Sequence, residues 1–240
     1  MTLFYFFLIL FLFNFLFNFL LLYLSVNKKN PKLFIRYFFL SVLLVAWLAL
    51  VLQQVNEVAY VSKRQILGNL ILSIWVFISL YLNKNLKLAL LSDSLNTIKN
   101  YILNKEPKKI ISKVFYISLL QIICFSPIVS LNFLPGPSYF YWMDFIALTL
   151  CVFGIASYLK TFVQQEAEQA PTKKKFLGQV MHPEYLGNLI FILGLFLLST
   201  GATGGVWSFI GPLTILLIMY RVVIPENERR TLSRSNIQNQ

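Results

Sequence analysis

Seven long runs of apolar residues constrain this chain more than any other feature of its sequence. The first 25 positions contain no charged side chain, and the whole chain is 58% hydrophobic and only 12% charged. A soluble domain carries roughly 25% charged residues. We therefore exclude a soluble enzyme, a disordered chain and a secreted disulfide scaffold. The sequence predicts an all-α, polytopic membrane protein.

Each apolar run approaches the length of a membrane-crossing helix, which needs roughly 20 mainly apolar residues. The first run is predicted to be a retained helix rather than a signal peptide, because it lacks a basic segment before it and a small-residue cleavage site after it. The last two runs are expected to form a tight hairpin around a glycine-rich turn. The seven predicted spans are residues 3–26, 37–53, 66–82, 114–134, 141–163, 186–200 and 206–224.

The basic residues predict the orientation of these spans. Of the 21 Lys and Arg residues, 19 fall in connecting segments or at span ends that the seven spans place on one side of the membrane, and Lys63 and Arg64 are the exceptions. Basic residues collect on the cytoplasmic side, so we expect the N-terminus outside and the C-terminus in the cytoplasm. The net charge of +12 is interpreted as this topology signal together with attraction to anionic lipid headgroups, not as nucleic-acid binding.

The chain is predicted to be one membrane domain, residues 1–240, with two parts and a tail. Residues 1–134 hold the N-terminal helices and a cytoplasmic segment, residues 83–113, in which leucines and isoleucines lie among lysines. That segment is typical of an amphipathic helix on the membrane surface, closed by Pro107. Residues 141–230 hold the last helices, and residues 231–240 form a polar tail.

Polar residues inside the predicted spans are candidate functional groups, because they are costly in a membrane. Asn14 and Asn18 lie four positions apart and so share one face of the first span. Gln121 lies in the fourth span, and Asp144 lies at the outer edge of the fifth. Hydrogen bonds between helices account for all four residues.

Three other classes of site are disfavoured. The single histidine and the two cysteines, Cys124 and Cys151, do not have the spacing of a metal site, and both thiols are expected to be free and buried. No glycine-rich dinucleotide fingerprint follows a strand pattern. Paired broken helices, which indicate a transporter, are not found in two corresponding halves.

The single histidine, His182, marks the strongest candidate site. Pro183 follows it, and proline favours the first position of a helix. We therefore expect His182 to cap the sixth span at its cytoplasmic end. A helix N-terminus suits phosphate, and Lys173, Lys174 and Lys175 add positive charge just upstream.

Further candidate residues follow on the same helix and at the end of the next one. Tyr185 and Asn188 are three positions apart and share a face. Gly187 allows a ligand or a second helix to approach the backbone. The hairpin brings the end of the seventh span, with Glu228, to the same side as His182, so the two can line one cavity. A helix start with a packing glycine and a solvated charged helix end are the alternative interpretations.

These residues carry a resemblance to a known group of membrane enzymes. The run from His182 to Asn188, the short hairpin and the helix end with Glu228 resemble the superfamily of steroid 5-alpha-reductases, sterol reductases and isoprenylcysteine carboxyl methyltransferases. The chain is most similar to largely uncharacterised membrane proteins related to the C-terminal part of steroid 5-alpha-reductase. The resemblance is specific over residues 144–230 and weaker before them, where it includes Trp75.

The resemblance implies a cytosolic cofactor pocket formed by the helices of residues 141–230. The cofactor is NADPH in the reductases and S-adenosylmethionine in the methyltransferases. The residues that match the cofactor-contact motif are His182, Tyr185, Gly187, Asn188 and Glu228. Met181 stands where the family usually has arginine.

Three functions remain open at this point. The first is an NADPH-dependent reductase of a C=C bond in a lipid-soluble substrate, with Tyr185 or Glu228 polarising a carbonyl or supplying a proton. The second is a methyltransferase that positions S-adenosylmethionine against the carboxylate of a lipidated thiol compound. The third is a non-catalytic membrane protein, which Met181 favours. The lysines and the helix N-terminus favour the reductase.

Overall fold

Helices account for nearly all of the residues that the structure, a computed structural model, describes: 3–27, 32–55, 61–82, 107–134, 136, 140–167, 183–202 and 204–223. Eight α-helices run through these ranges: α1 (Leu3–Asn27), α2 (Lys32–Val55), α3 (Lys63–Leu82), α4 (Pro107–Cys124), α5 (Ser126–Phe133), α6 (Trp142–Ala167), α7 (Pro183–Thr200) and α8 (Ile210–Ile218). A 3-10 helix (Gly205–Phe209) precedes α8 and a π-helical turn (Met219–Val223) follows it. The all-α prediction is confirmed over the described residues.

Four of these helices, α1, α2, α3 and α6, are long and apolar enough to cross a membrane. Helix α1 is long because nothing in its sequence interrupts it: its 25 residues include no glycine or proline. Its apolar window, Tyr5–Ser25, has a mean hydropathy of 2.4. Large apolar side chains such as Leu16 and Tyr23 are exposed on its outer face, where lipid takes the place of water. The chain is therefore an integral, multi-pass membrane protein.

The structure corrects the predicted count of seven spans. The fourth predicted span, 114–134, is divided into α4 and α5, which meet at 62°. Pro127, in the first turn of α5, has no N–H group with which to continue the hydrogen-bond ladder of α4. The pair forms one broken span or a re-entrant loop, so the described residues contain four candidate spans, or five if the pair counts as one.

The last two predicted spans are shorter apolar helices, Leu186–Thr200 and Gly205–Arg221. The first is the apolar part of α7; at a rise of 1.5 Å per residue the whole 18-residue helix is roughly 27 Å long, whereas the hydrocarbon core of a bilayer is about 30 Å thick.

Pro107 begins helix α4 rather than closing the segment before it. The first position of a helix tolerates proline, because an N–H there would have no partner within the helix. The remainder of the predicted surface helix, residues 83–106, lies outside the described residues, as does the polar tail 231–240.

The turn after α7 has the predicted hairpin geometry. The N–H of Ala202 donates to the carbonyl of Ser199 at 3.0 Å, and the N–H of Gly205 donates to the carbonyl of Ala202 at 2.9 Å. Gly204 has a φ of +84°, a left-handed conformation that favours glycine. Helix α8 then packs back against α7.

One apolar core joins α1 to α7. It includes Phe6 and Leu10 of α1, Trp75 of α3, Ile128 of α5 and Phe191 of α7. Cys124 and Cys151 are free and buried in the same core, as the sequence predicted. Helices of the first and second halves of the chain therefore pack around the same side chains.

Candidate functional site

Helix α7, which carries most of the candidate residues, begins at Pro183 as the sequence predicted. Tyr185 therefore lies in the first turn, where the N–H groups have no carbonyl partner within the helix. The side chain of Tyr185 lies outside the described residues, as do His182, Glu228 and the three lysines at 173–175. Their meeting in one pocket stays a prediction.

Gly187 is buried against helix α6. A Cβ atom added to it would lie 2.9 Å from the carbonyl oxygen of Gly154 and 2.9 Å from the backbone nitrogen of Tyr158. Of the two partners that the sequence allowed, the second helix occupies this side of the glycine. A side chain at Gly187 would force α6 and α7 apart.

The same close approach recurs along the interface between α6 and α7. A Cβ on Gly154 would lie 2.6 Å from the backbone nitrogen of Phe191, and one on Gly194 would lie 2.8 Å from the carbonyl oxygen of Ala147. Three glycines thus allow the two backbones to touch, as small residues do between membrane helices. This interface fixes α7 on the bundle.

Asn188, the next residue after Gly187, is partly buried and faces helix α3. The indole Nε1–H of Trp75 donates to its Oδ1 at 3.3 Å. An indole N–H can only donate, so the oxygen of the amide must face Trp75. The Nδ2 group, with two hydrogens, is directed elsewhere, and it donates to no residue in the described part of the chain.

Trp75 is itself packed among rings from α2, from α7 and from the bend between α4 and α5. Its side chain is 2% exposed. It stacks on Phe191 with a centroid distance of 5.0 Å and an interplanar angle of 9°. Phe39 meets it edge-on at 5.1 Å, and Phe125 packs at 5.7 Å. Such packing leaves the indole little freedom to turn away from Asn188.

A buried ion pair lies where α3 and α6 begin. Arg64 is 2% exposed and Asp144 is fully buried. The guanidinium donates from Nε to Oδ1 of Asp144 at 3.0 Å and from Nη2 to the same oxygen. Oδ2 accepts the backbone N–H of Tyr141 at 2.8 Å, which caps the start of α6. The guanidinium also packs against Gly201 in the hairpin turn.

A second polar cluster joins α1, α2 and α4. Asn18 Nδ2 donates to Oε1 of Gln121 at 2.9 Å and to Oγ of Ser118 at 3.1 Å. Nε2 of Gln121 donates to Oγ of Ser41 at 2.6 Å. Asn14 Nδ2 reaches the carbonyl of Ser118 at 3.1 Å. The predicted hydrogen bonding between helices at Asn14, Asn18 and Gln121 is confirmed.

Comparison with known proteins decides the family. Residues 21–240 match the family described as "Protein of unknown function (DUF1295)". The chain belongs to the DUF1295 family. Neither a curated protein nor a solved structure matches it at a significant level.

The region shared with the DUF1295 family contains every candidate residue, from Lys173 to Glu228, and also Trp75 and Arg64. Two of its contacts were missed by sequence reasoning. Trp75 was named only as part of the weaker resemblance, although its indole also bonds to Asn188, 113 positions away. Arg64 was counted only as one of the two basic residues on the outer side of the membrane, although it is buried against Asp144, 80 positions away. The available signals for the second contact were a basic residue at the start of one apolar run and Asp144 at the outer edge of another.

Proposed function

We propose that this DUF1295 family member is a membrane-embedded reductase that uses NADPH to reduce a C=C bond in a lipid-soluble substrate. The proposal is supported by the resemblance of residues 182–188 to the reductase superfamily and by one structural observation. That observation is the group of hydrogen-bond donors at the start of α7. No enzymatic activity is implied by the family description itself.

The donors at the start of α7 suit the phosphate and carboxamide oxygens of NADPH. The N–H groups of the first turn point toward the end of the helix, where the helix dipole is positive. The Nδ2 group of Asn188, one turn further on, adds two more donors. Lys173, Lys174 and Lys175 precede this turn in the sequence and bring positive charge. This set of donors and cations fits an anionic dinucleotide better than the cationic sulfonium of S-adenosylmethionine.

Bound NADPH would supply a hydride to the double bond. The residues of the chain would bind the reactants and donate the proton that completes the reduction. Tyr185, in the first turn of α7, and Glu228, after the π-helical turn, are the candidates to polarise a conjugated carbonyl or to deliver the proton. His182 would bind at the cap of α7. Gly187 would serve by letting α6 close against α7 behind the pocket.

The membrane setting favours a substrate that dissolves in lipid. Helices α1, α2, α3 and α6 expose large apolar side chains to the bilayer, among them Leu16, Phe77 and Phe145. A hydrophobic substrate reaches such a protein by diffusion within the membrane. The cofactor would enter from the cytosolic side if the predicted orientation holds.

Equilibrium binding to the detergent-purified protein tests the proposal. We expect NADPH to bind, and we expect replacement of Lys173, Lys174 and Lys175 by glutamine to weaken binding at least several-fold, more at low salt. The control replaces Lys108, Lys109 and Lys113 by glutamine, which removes the same charge from the start of α4. The control should bind NADPH as the wild type does.

Two results would overturn the proposal. If S-adenosylmethionine binds and NADPH does not, the chain is a methyltransferase. If neither binds at millimolar concentration, the non-catalytic interpretation replaces the reductase.

A further inference from the structure

The hydrogen bond between Trp75 and Asn188 fixes more than a packing contact. A free asparagine amide can rotate by half a turn and present either its oxygen or its nitrogen to a ligand. Here one orientation is favoured, because turning the amide would bring Nδ2 against the indole N–H, and two donors would face each other. The stacked Phe191 and the edge-on Phe39 prevent the indole from moving away.

We propose that Trp75 is a positioning residue, which holds the Asn188 amide so that it always donates to the ligand. This role rests on the proposed NADPH pocket, and it makes the pocket selective for a hydrogen-bond acceptor at Asn188. Asn188 is then a dedicated donor, and its partner must be an acceptor, such as a phosphate or carboxamide oxygen of the dinucleotide. Trp75 touches neither ligand nor substrate; it acts only through Asn188.

The placement of Trp75 lets a single side chain both orient the Asn188 amide and pack against α7. Trp75 lies on α3, whereas Asn188 and Phe191 lie three positions apart on α7 and share a face. One side chain therefore fixes the amide through its N–H group and packs on the next turn of α7 through its ring. Replacing the indole by a phenyl ring would remove the first effect and keep much of the second.

Trp75→Phe is the first variant, and Trp47→Phe is its matched control. Trp47 Nε1 also donates across a helix interface, to Oγ of Ser73 at 3.4 Å, but it contacts no candidate residue. We expect Trp75→Phe to raise the dissociation constant of NADPH roughly three- to tenfold, the range of one hydrogen bond's net contribution. Trp47→Phe should leave it unchanged.

Asn188→Asp tests the direction of the ligand hydrogen bond. Aspartate has nearly the same shape and still accepts the indole N–H of Trp75, but it presents an oxygen where Asn188 presents a nitrogen. We expect NADPH binding to fall more than tenfold, because an acceptor and a negative charge would then face an anionic ligand. NADPH binding should fall less in Asn188→Leu, since this substitution removes the donor without adding charge.

A double variant separates positioning from general damage. In an Asn188→Leu background, Trp75→Phe should have no further effect on NADPH binding, because there is no amide left to orient. Indole N–H resonances in the 15N spectrum provide a check without ligand. The Trp75 resonance, identified by its loss in Trp75→Phe, should shift in Asn188→Leu and stay near its place in Asn188→Asp.

The outcomes distinguish this inference from the proposed function. If the wild type does not bind NADPH, the proposed function fails and takes the positioning role with it. If the wild type binds but Trp75→Phe binds equally well, the inference alone is wrong. It is equally wrong if Asn188→Asp retains binding, or if the Trp75→Phe effect persists in the Asn188→Leu background.

Discussion

Replacing Asp144 by asparagine should destabilise the protein strongly, because it breaks a buried ion pair. The side chains of Arg64 and Asp144 are 2% and 0% exposed, so the substitution leaves the arginine charge buried without a counter-charge. Breaking a buried pair in this way costs about 3–5 kcal/mol. Asparagine has a single side-chain oxygen, so if that oxygen keeps the N–H of Tyr141, its Nδ2 group faces the guanidinium; the loss therefore reports the charge and the hydrogen bonds of Arg64 together.

The two buried cysteines provide the assay. Cys124 and Cys151 are free and enclosed in the core, so a maleimide dye that fluoresces on reaction with thiols labels them only as the protein unfolds in detergent. For a chain of this size, 1 kcal/mol corresponds to roughly 2–4 °C, so we expect the midpoint to fall by about 6–20 °C. Adding Arg64→Met, which removes the isolated charge, should recover at least half of that loss.

Lys63→Met is the control for this prediction. Lys63 is an exposed basic residue beside Arg64, and its loss should move the midpoint by less than about 2 °C. If Asp144→Asn unfolds at the same temperature as Lys63→Met, the ion pair contributes nothing and the reasoning is refuted.

Three further predictions concern orientation, packing and the cofactor. The bias of 19 basic residues to 2 predicts a cytoplasmic C-terminus; a C-terminal reporter active only on the outer side would contradict it. Gly154→Ala should lower the unfolding midpoint by several degrees, because its Cβ would lie 2.6 Å from the backbone nitrogen of Phe191. Gly136→Ala, whose Cβ would be 3.6 Å from its nearest neighbour, should have little effect, and equal shifts would exclude close helix contact as the cause. Met181→Arg, which restores the residue of the resembled family, should tighten NADPH binding in a titration; unchanged affinity would remove Met181 as an explanation for weak binding.

The sequence predicted those helices whose signal is local. The uninterrupted apolar runs of α1, α2, α3 and α6 are long enough to define spans on their own. The count failed where the signal was weaker, at the bend before Pro127 and in the short run Leu186–Thr200. An apolar run indicates that a segment avoids water, but it does not indicate whether the helix is bent or how it is divided.

For the candidate site, too, features with a local sequence signal were predictable and contacts between distant residues were not. The start of α7 was predictable, because proline has a local preference for the first position of a helix. The partners of Asn188 and Arg64 were not, because Trp75 and Asp144 are distant in the chain and no periodicity connects them. For Gly187, the sequence indicated an open backbone, and only the packing of α6 showed what fills that space.

Arg64 leaves the ribosome well before the carboxylate that neutralises it. Asp144 is 80 positions further along, an interval of about 4–16 s at common rates of synthesis. During that time an unpaired guanidinium resists entry into the hydrocarbon region, and the first turn of α3 is held near the lipid–water boundary. We therefore expect helix α3 to reach its final position only after α6 has been made, so that a residue of the C-terminal half completes the membrane insertion of the N-terminal half.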